Sequence, residues 1–399
     1  DSRATTYIAQ QLLEHISKSY NIHVFCLNLF NKTFDEPFPC EHNGIHIYYA
    51  KSPIETKLFK DIFLRIKSKI AIAYYQFKYK TKYQYDKLYI CSKQIEKLIK
   101  DVNAQTIISV STPTDIHICT EMAIKNPKEL DWIAISFDPH AYNSDYSKVL
   151  QEKFKKEEII LYEKAKRIFM LSQSKQDYSH SPLNDKIVFF EIPMEKFDVA
   201  STLKSPQNND LNKSLKMMYI GNLYNKIRNP EYMFRLFKKI SDLDFTLYII
   251  GSFIGWGNEL QKYQKGLFQE FSGKIEIVDR LSRQQSKEYM SNADFLVNIG
   301  NTTKNQCPSK VVEYISTGKP IIHFKKTDDC SSMQYLDKYP NVCVIDENIS
   351  LDANALKLKT FISKNYGNVV SKDILGDLYK ENDINYISEI LISNIKAEN

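Results

Sequence analysis

Short apolar runs alternate with segments of helical period, and they do so twice, on either side of an apolar-poor stretch. In the first series residues 3–19 repeat apolar positions at three and four, residues 21–30 form a β-rich run, and residues 44–50 form another. Residues 106–110 (TIISV) lead through Ser111-Thr112-Pro113-Thr114 into a helix, and 132–137 (WIAISF) is a buried-type strand ending at Asp138-Pro139-His140. A helix over about 149–166 precedes the strands RIFMLS and KIVFFEIP. Over 201–216 apolar content collapses into Ser, Asn, Pro and Lys, the composition of a linker. The alternation then restarts, with strands at 217–220, 245–251, 274–278, 295–299, 320–324 and 341–345. Helices at 230–240, 284–292, 308–317 and near Ser331 separate them. Strands joined by helices call for a parallel sheet covered on both faces. The expected fold class is α/β, with two doubly wound halves. They comprise an N-terminal domain 1–200, the linker 201–216, a second domain 217–372 and a helical segment 373–399. Ligands of such folds bind in a cleft at the carboxyl ends of the strands.

The chain has 399 residues, more than one ordinary core accommodates. Its 43% hydrophobic and 26% charged residues argue against disorder and against a membrane bundle. No run approaches the roughly 20 apolar residues of a spanning helix. Seven scattered cysteines with no CxxC or Cys/His spacing predict reduced thiols, no structural zinc and a cytoplasmic protein. The chain opens at Asp1 rather than at a methionine, and further residues are expected upstream of it. The net charge of +6 is too small for a nucleic-acid footprint, and no nucleic-acid partner is expected. Charge is concentrated locally: residues 57–87 pack lysines among Phe, Tyr and Ile. That segment reads as a helical face with snorkelling lysines, as a patch for a membrane surface or anionic ligand, or as a single-strand-binding stretch.

Three segments of the second half fall at strand ends. Gly221 follows a strand and leads, through Asn222, Lys226, Arg228 and Asn229, to Pro230 at the start of a helix. This is either a tight turn or a phosphate loop, with Lys226 and Arg228 supplying charge. Asp279-Arg280-Leu281-Ser282 follows another strand, where an ordinary loop is the default. In Asn305-Gln306-Cys307-Pro308-Ser309-Lys310, Pro308 opens a helix whose buried face is Val311, Val312 and Ile315, and Gly318 with Pro320 ends it. Glu313 sits too deep to be a cap. It is either an exposed helical glutamate or an acceptor for a vicinal diol, as in ribose binding.

The segment PSKVVEYISTGKPII resembles the Pro-Ser-Lys, Glu-Tyr, Gly-Lys-Pro signature of the large retaining group of GT-B glycosyltransferases that includes bacterial polysaccharide enzymes (family 4-like). ADFLVNIGN is similar to that group's preceding strand. The resemblance covers about a third of the chain. It implies a GT-B fold, with Glu313 on the nucleotide ribose and Ser309 and Lys310, backbone amides included, at the diphosphate. It also implies Gly221 in the phosphate loop, Arg228 as the cation for the leaving diphosphate, and Arg280 near the base. Two positions depart from the pattern: Asn305 stands where the family has the first carboxylate of its Glu, seven residues, Glu pair, and Asn222 where it has a basic residue. In the first half, WIAISFDPH resembles a subgroup whose strand ends in Asp-Pro-Trp, which would put Asp138 and His140 near the acceptor; the alternative is a plain turn at Asp138-Pro139.

The resemblance implies a metal-independent enzyme with no cofactor. It would move a hexose or N-acetylhexosamine from a nucleotide-diphospho sugar, with UDP as the expected carrier, to a free, lipid-linked or protein-linked glycan. Peripheral contact with the inner face of the plasma membrane through residues 57–87 is a further expectation. The alternatives are a catalytically inactive binding subunit of a glycosylation complex and a GT-B-fold sugar-nucleotide epimerase.

Overall fold

The computed structural model describes residues 4–26, 40–42, 44–49, 62–79, 85–111, 114–137, 139–142, 146–194, 214–271, 274–302 and 307–396. Two compact units emerge: one holds residues 3–191 with 384–399, the other residues 192–383.

The first unit begins with α1 (Ala4–Ile16), β1 (Ile22–Cys26), β2 (Cys40–His42) and β3 (Ile45–Tyr49). β1 and β3 pair in parallel and β2 adds antiparallel to β3, which makes a three-stranded sheet. Next come α2 (Ile62–Tyr79), α3 (Tyr85–Asp101), β4 (Thr106–Ser111), α4 (Asp115–Ala123), β5 (Asp131–Ser136), α5 (Lys148–Leu161), β6 (Arg167–Leu171), α6 (Lys175–Tyr178) and β7 (Ile187–Phe190). Strands β4 to β7 form a parallel sheet in sequence order. β5 and β6 are buried along almost their whole length, as expected of parallel strands covered on both faces. Three polar side chains of this core are linked. Ser109 Oγ accepts from Trp132 Nε1 at 2.7 Å and lies 2.7 Å from His117 Nδ1. Burial pulls the His117 pKa down to about 3, so the ring stays neutral.

The second unit runs β8 (Leu215–Ile220), β9 (Leu223–Tyr224), α7 (Glu231–Lys239), β10 (Phe245–Ile250), β11 (Phe253–Ile254), α8 (Leu260–Phe271), β12 (Ile275–Val278), α9 (Arg283–Asn292), β13 (Phe295–Ile299), α10 (Lys310–Ser316), β14 (Ile321–Lys325), α11 (Met333–Leu336), β15 (Val342–Asp346), α12 (Leu351–Asn365) and α13 (Lys372–Leu378). Its six parallel strands are ordered β12-β10-β8-β13-β14-β15. Numbered within the unit this is 3-2-1-4-5-6, the doubly wound dinucleotide-fold order, and the strand order reverses between β8 and β13. Ligands of such sheets bind outside the carboxyl ends at that reversal.

Domain bounds differ from the sequence expectation at both ends. Of the expected linker 201–216, residues 201–213 lie outside the described residues, while Leu215 and Lys216 already belong to β8, paired with Phe245 and Thr246. The expected helical segment 373–399 is two helices. α13 belongs to the second unit, whereas α14 (Ile384–Lys396) belongs to the first and packs on α1. The chain reaches α14 beside its earlier crossing at 192–194. Met194 N donates to Asn382 O at 2.7 Å and Asn382 Nδ2 to Ile192 O at 2.8 Å. Both bonds lie within the second unit, which is why that unit starts at Ile192 rather than at 217.

Candidate functional site

β8, at the reversal, and β10, its neighbour on the other side, both end in glycines. β8 runs out through Gly221 (φ +149°) and its neighbour β10 through Gly251 (φ +137°). Gly221 N donates to Ile250 O at 2.9 Å and Gly251 N to Val278 O at 3.0 Å, so the ladder continues one residue past the strands. The chains then pair again as a short parallel ribbon, β9 on β11. Asn222 joins this ribbon, its Oδ1 accepting from Ser252 N at 3.3 Å.

Arg228 closes the turn that follows. Tyr224 N donates to Arg228 O at 3.3 Å, which leaves Lys226 exposed at the tip. From there the Arg228 side chain bridges the two strands of the reversal. Nε donates to Asn301 Oδ1 at 2.9 Å, beyond β13, and one terminal nitrogen to Asn222 O at 3.4 Å, beyond β8. Tyr219 Oη donates to the same Asn222 carbonyl at 2.9 Å, and the guanidinium lies 5.9 Å from the Tyr224 ring centre. Burial raises the Tyr219 pKa, and the cation beside it opposes that shift. Thr302 N donates to Ile227 O at 2.9 Å, tying the loop after β13 to the one before α7.

α10 returns to β8. Its buried Tyr314 hydroxyl accepts from Ile220 N at 2.8 Å and donates to Ile220 O at 3.3 Å. The β8–β13 pairing stops at Tyr219, so this hydroxyl serves the backbone of the next residue in place of a strand. Burial raises the Tyr314 pKa; among the further influences, Glu313 raises it and Arg228 lowers it, which places both charges within electrostatic reach of one hydroxyl. Glu313 forms an ion pair with Lys310, one turn back, and both side chains are largely covered. Ser309 precedes the helix without a side-chain cap bond. Gly318 (φ +71°) ends it, with a Cβ there only 2.4 Å from Val370 O. The lysine of Gly-Lys-Pro is structural: Lys319 Nζ donates to Ser291 O at 2.8 Å and Ala293 O at 2.6 Å.

Gly221, Asn222 and Arg228 are therefore brought together, and Lys310 and Glu313 are brought to each other. Arg280 is exposed at the end of β12, an outer strand. Asn305 and Asp138 lie outside the described residues. Asn301, Tyr219 and Tyr314 escaped the sequence reading. Asn301 and Tyr314 work through tertiary contacts with β8 or its loop, although the position of Asn301, two residues past a buried strand, was a signal.

In the first unit His140 packs edge-on against Phe154 (5.2 Å) and Tyr146 (5.9 Å) and lines a small cavity with Tyr79, Thr114, Glu157 and Glu158. Glu158 holds this turn, its carboxylate accepting from Ala141 N at 3.0 Å and bonding Tyr178 Oη. Burial pushes its pKa up to about 7 from an ordinary 4.5. Between those values the folded chain holds a proton that the unfolded chain has lost, so stability from the neutral acid is full below pH 4.5 and falls until about pH 7. Glu158→Gln keeps an oxygen acceptor for Ala141 N, offers Tyr178 Oη an amide N–H in place of the carboxyl oxygen to which it donates, and does not titrate. Its unfolding free energy in urea should match the wild type at about pH 4 and exceed it at pH 8 by about 2 kcal/mol, after allowing for water drawn in by the ionised group. An advantage that does not change with pH would contradict this account.

Among the described residues no group of three or more His, Cys, Asp or Glu is placed to hold a metal ion, and no helix is long and apolar enough to cross a membrane. No protein-family profile and no curated protein sequence matches the chain. Solved structures do match. A sucrose-phosphate synthase from Thermosynechococcus elongatus aligns with a TM-score of 0.64 at 11% identity, over 99% of this chain and 94% of its own. The Anabaena protein HepE, solved with UDP and glucose, gives 0.62 at 11% over 100% and 97%. A glycosyltransferase from Rickettsia africae gives 0.57 at 14% over 79% and 82%. At such identities the likeness is one of fold: two parallel-sheet α/β units, the GT-B architecture.

Proposed function

We propose that the protein is a retaining glycosyltransferase that takes a hexose or N-acetylhexosamine from a nucleotide-diphospho sugar, UDP being the expected carrier, and passes it to a free, lipid-linked or protein-linked glycan. The observation that carries this reading is Arg228, a cation held across the reversal point of a doubly wound sheet by Asn301 and the Asn222 carbonyl. In this reading Arg228 neutralises the departing diphosphate, helped by Lys310 and Lys226. The bond from the anomeric carbon to the diphosphate breaks as the acceptor oxygen attacks the same face. The leaving phosphate oxygen takes the acceptor's proton, so no enzyme nucleophile is needed. Gly221 lets the backbone approach the phosphates, Ser309 lies beside them, Arg280 faces the base, and Asp138 with His140 orients the acceptor.

Glu313 in this scheme accepts from the ribose hydroxyls and exchanges its Lys310 partner for them when the nucleotide binds. Glu313→Ala should weaken UDP binding by about 1 to 3 kcal/mol, read by calorimetry, through loss of charge-assisted hydrogen bonds. Unchanged or tighter binding would mean that Glu313 only restrains Lys310.

A second reading, a binding subunit without turnover, is favoured by Asn222. It stands where a basic residue is expected, and its side chain is engaged with the ribbon. Incubation with a panel of UDP-, GDP-, dTDP- and CMP-sugars separates the readings. Release of free nucleotide, raised by a glycan acceptor, supports transfer; binding without release supports the subunit; interconversion of donors without acceptor supports an epimerase.

A further inference from the structure

α2 is apolar on two opposite faces. One is turned into the first unit: Tyr79 belongs to the core, and Ile72 and Tyr75 pack against it. On the other, Ile66, Ile70, Tyr74 and Phe77 are 52%, 66%, 57% and 76% exposed. Their spacings of four, four and three put them in one stripe along the helix. A single apolar face is enough to seat a helix on its domain, and a contiguous second one marks a surface that meets something.

Charge narrows the choice. α2 carries Arg65, Lys67, Lys69 and Lys78 and no acidic residue. Residues 57–87 hold nine basic side chains against Asp61 and Asp86. Lys78 is committed inward, 2.9 Å from the buried Glu121, whereas Lys69 is exposed beside the stripe. Two copies meeting through this face would bring like charges together, which disfavours self-association. An anionic lipid surface complements the lysines, and its interfacial zone accepts aromatic residues such as Tyr74 and Phe77.

We propose that the outer face of α2 is a docking site for an anionic bilayer surface, with the Ile66-Ile70-Tyr74-Phe77 stripe lying in the headgroup zone and Lys69 on the lipid charges. The helix lies on the membrane rather than across it.

The test is co-sedimentation at low salt with vesicles of equal parts phosphatidylglycerol and phosphatidylcholine, against vesicles of phosphatidylcholine alone. Wild type should bind the anionic vesicles at least about tenfold more tightly, and added salt should weaken that binding. The variant Ile70→Ser/Phe77→Ser should lose at least about tenfold, because two apolar anchors are gone. Both side chains are exposed, so its urea midpoint and its UDP binding should match the wild type. Tryptophan placed by Phe77→Trp should shift its emission to the blue on anionic vesicles only. Three results would overturn the proposal: no wild-type binding at low salt, equal binding by the double variant, or a wild-type dimer that the double variant abolishes.

Discussion

Gly251→Ala is expected to destabilise the second unit by about 4 kcal/mol, combining the strain of a glycine-only backbone region with overpacking. The residue holds φ +137°, and an added Cβ would stand 2.3 Å from Gly221 O and 2.8 Å from Gly221 C. Both obstacles are backbone atoms, so no side chain can swing aside. Relief requires parting the two strand ends, which breaks the bond from Gly221 N to Ile250 O and moves the Asn222 carbonyl away from Arg228. The variant should therefore lose UDP affinity together with stability. Gly266→Ala is the control. It lies within α8 with open space around it, and a helical Gly to Ala change should stabilise by about 0.5 to 1 kcal/mol. Urea unfolding followed by far-ultraviolet circular dichroism compares them, and a cost under about 1 kcal/mol for Gly251→Ala would refute the close-contact argument.

Arg228→Ala is expected to slow sugar transfer by roughly a hundred- to a thousandfold, the usual loss when a preorganised group stabilising developing charge is removed. Its three interactions fix the guanidinium before any ligand arrives: Asn301 Oδ1, the Asn222 carbonyl and the Tyr224 ring. On the proposed function, such preorganisation would spare reorganisation at the moment the diphosphate leaves. Arg228→Lys retains the charge but not the planar fork that serves Asn301 and Asn222 at once, so it should recover only part of the rate. Asn301→Ala should loosen the guanidinium and show an intermediate defect. Initial rates of nucleotide release with acceptor present are the measurement, and a rate for Arg228→Ala within tenfold of wild type would remove it from catalysis.

The strands of the four- and six-stranded sheets were readable because parallel strands buried on both faces are near-continuous apolar runs, as in FLVNI or WIAIS. α10 was readable because Pro308 and Gly318 bracket it. Strand order was not, since nothing local in MMYI or FLVNI says that β8 lies beside both β10 and β13. α12 was missed: LDANALKLKTFISKN spreads lysines through its apolar pattern, and only tertiary packing of Leu358 and Ile362 selects a face. Glu158 reads as one more surface glutamate in KFKKEEIIL, yet it is buried, held by Ala141 and Tyr178. Arg228 was singled out from its charge, its place before a helix and the resemblance. Its partners Asn301 and the Asn222 carbonyl were invisible, because a backbone oxygen has no signature and a neutral amide seldom attracts notice.

The return of α14 to the first unit has a bearing on synthesis. The buried face of α1, with Ile8, Leu12 and Ile16, meets α14, in which Ile387 and Leu391 are buried. During translation the α1 surface is made first and its cover last, after the whole of residues 192–383. A nascent chain must therefore carry that apolar face uncovered while an entire second unit is built, and a stop shortly before Ile384 leaves the first unit, not the second, unfinished.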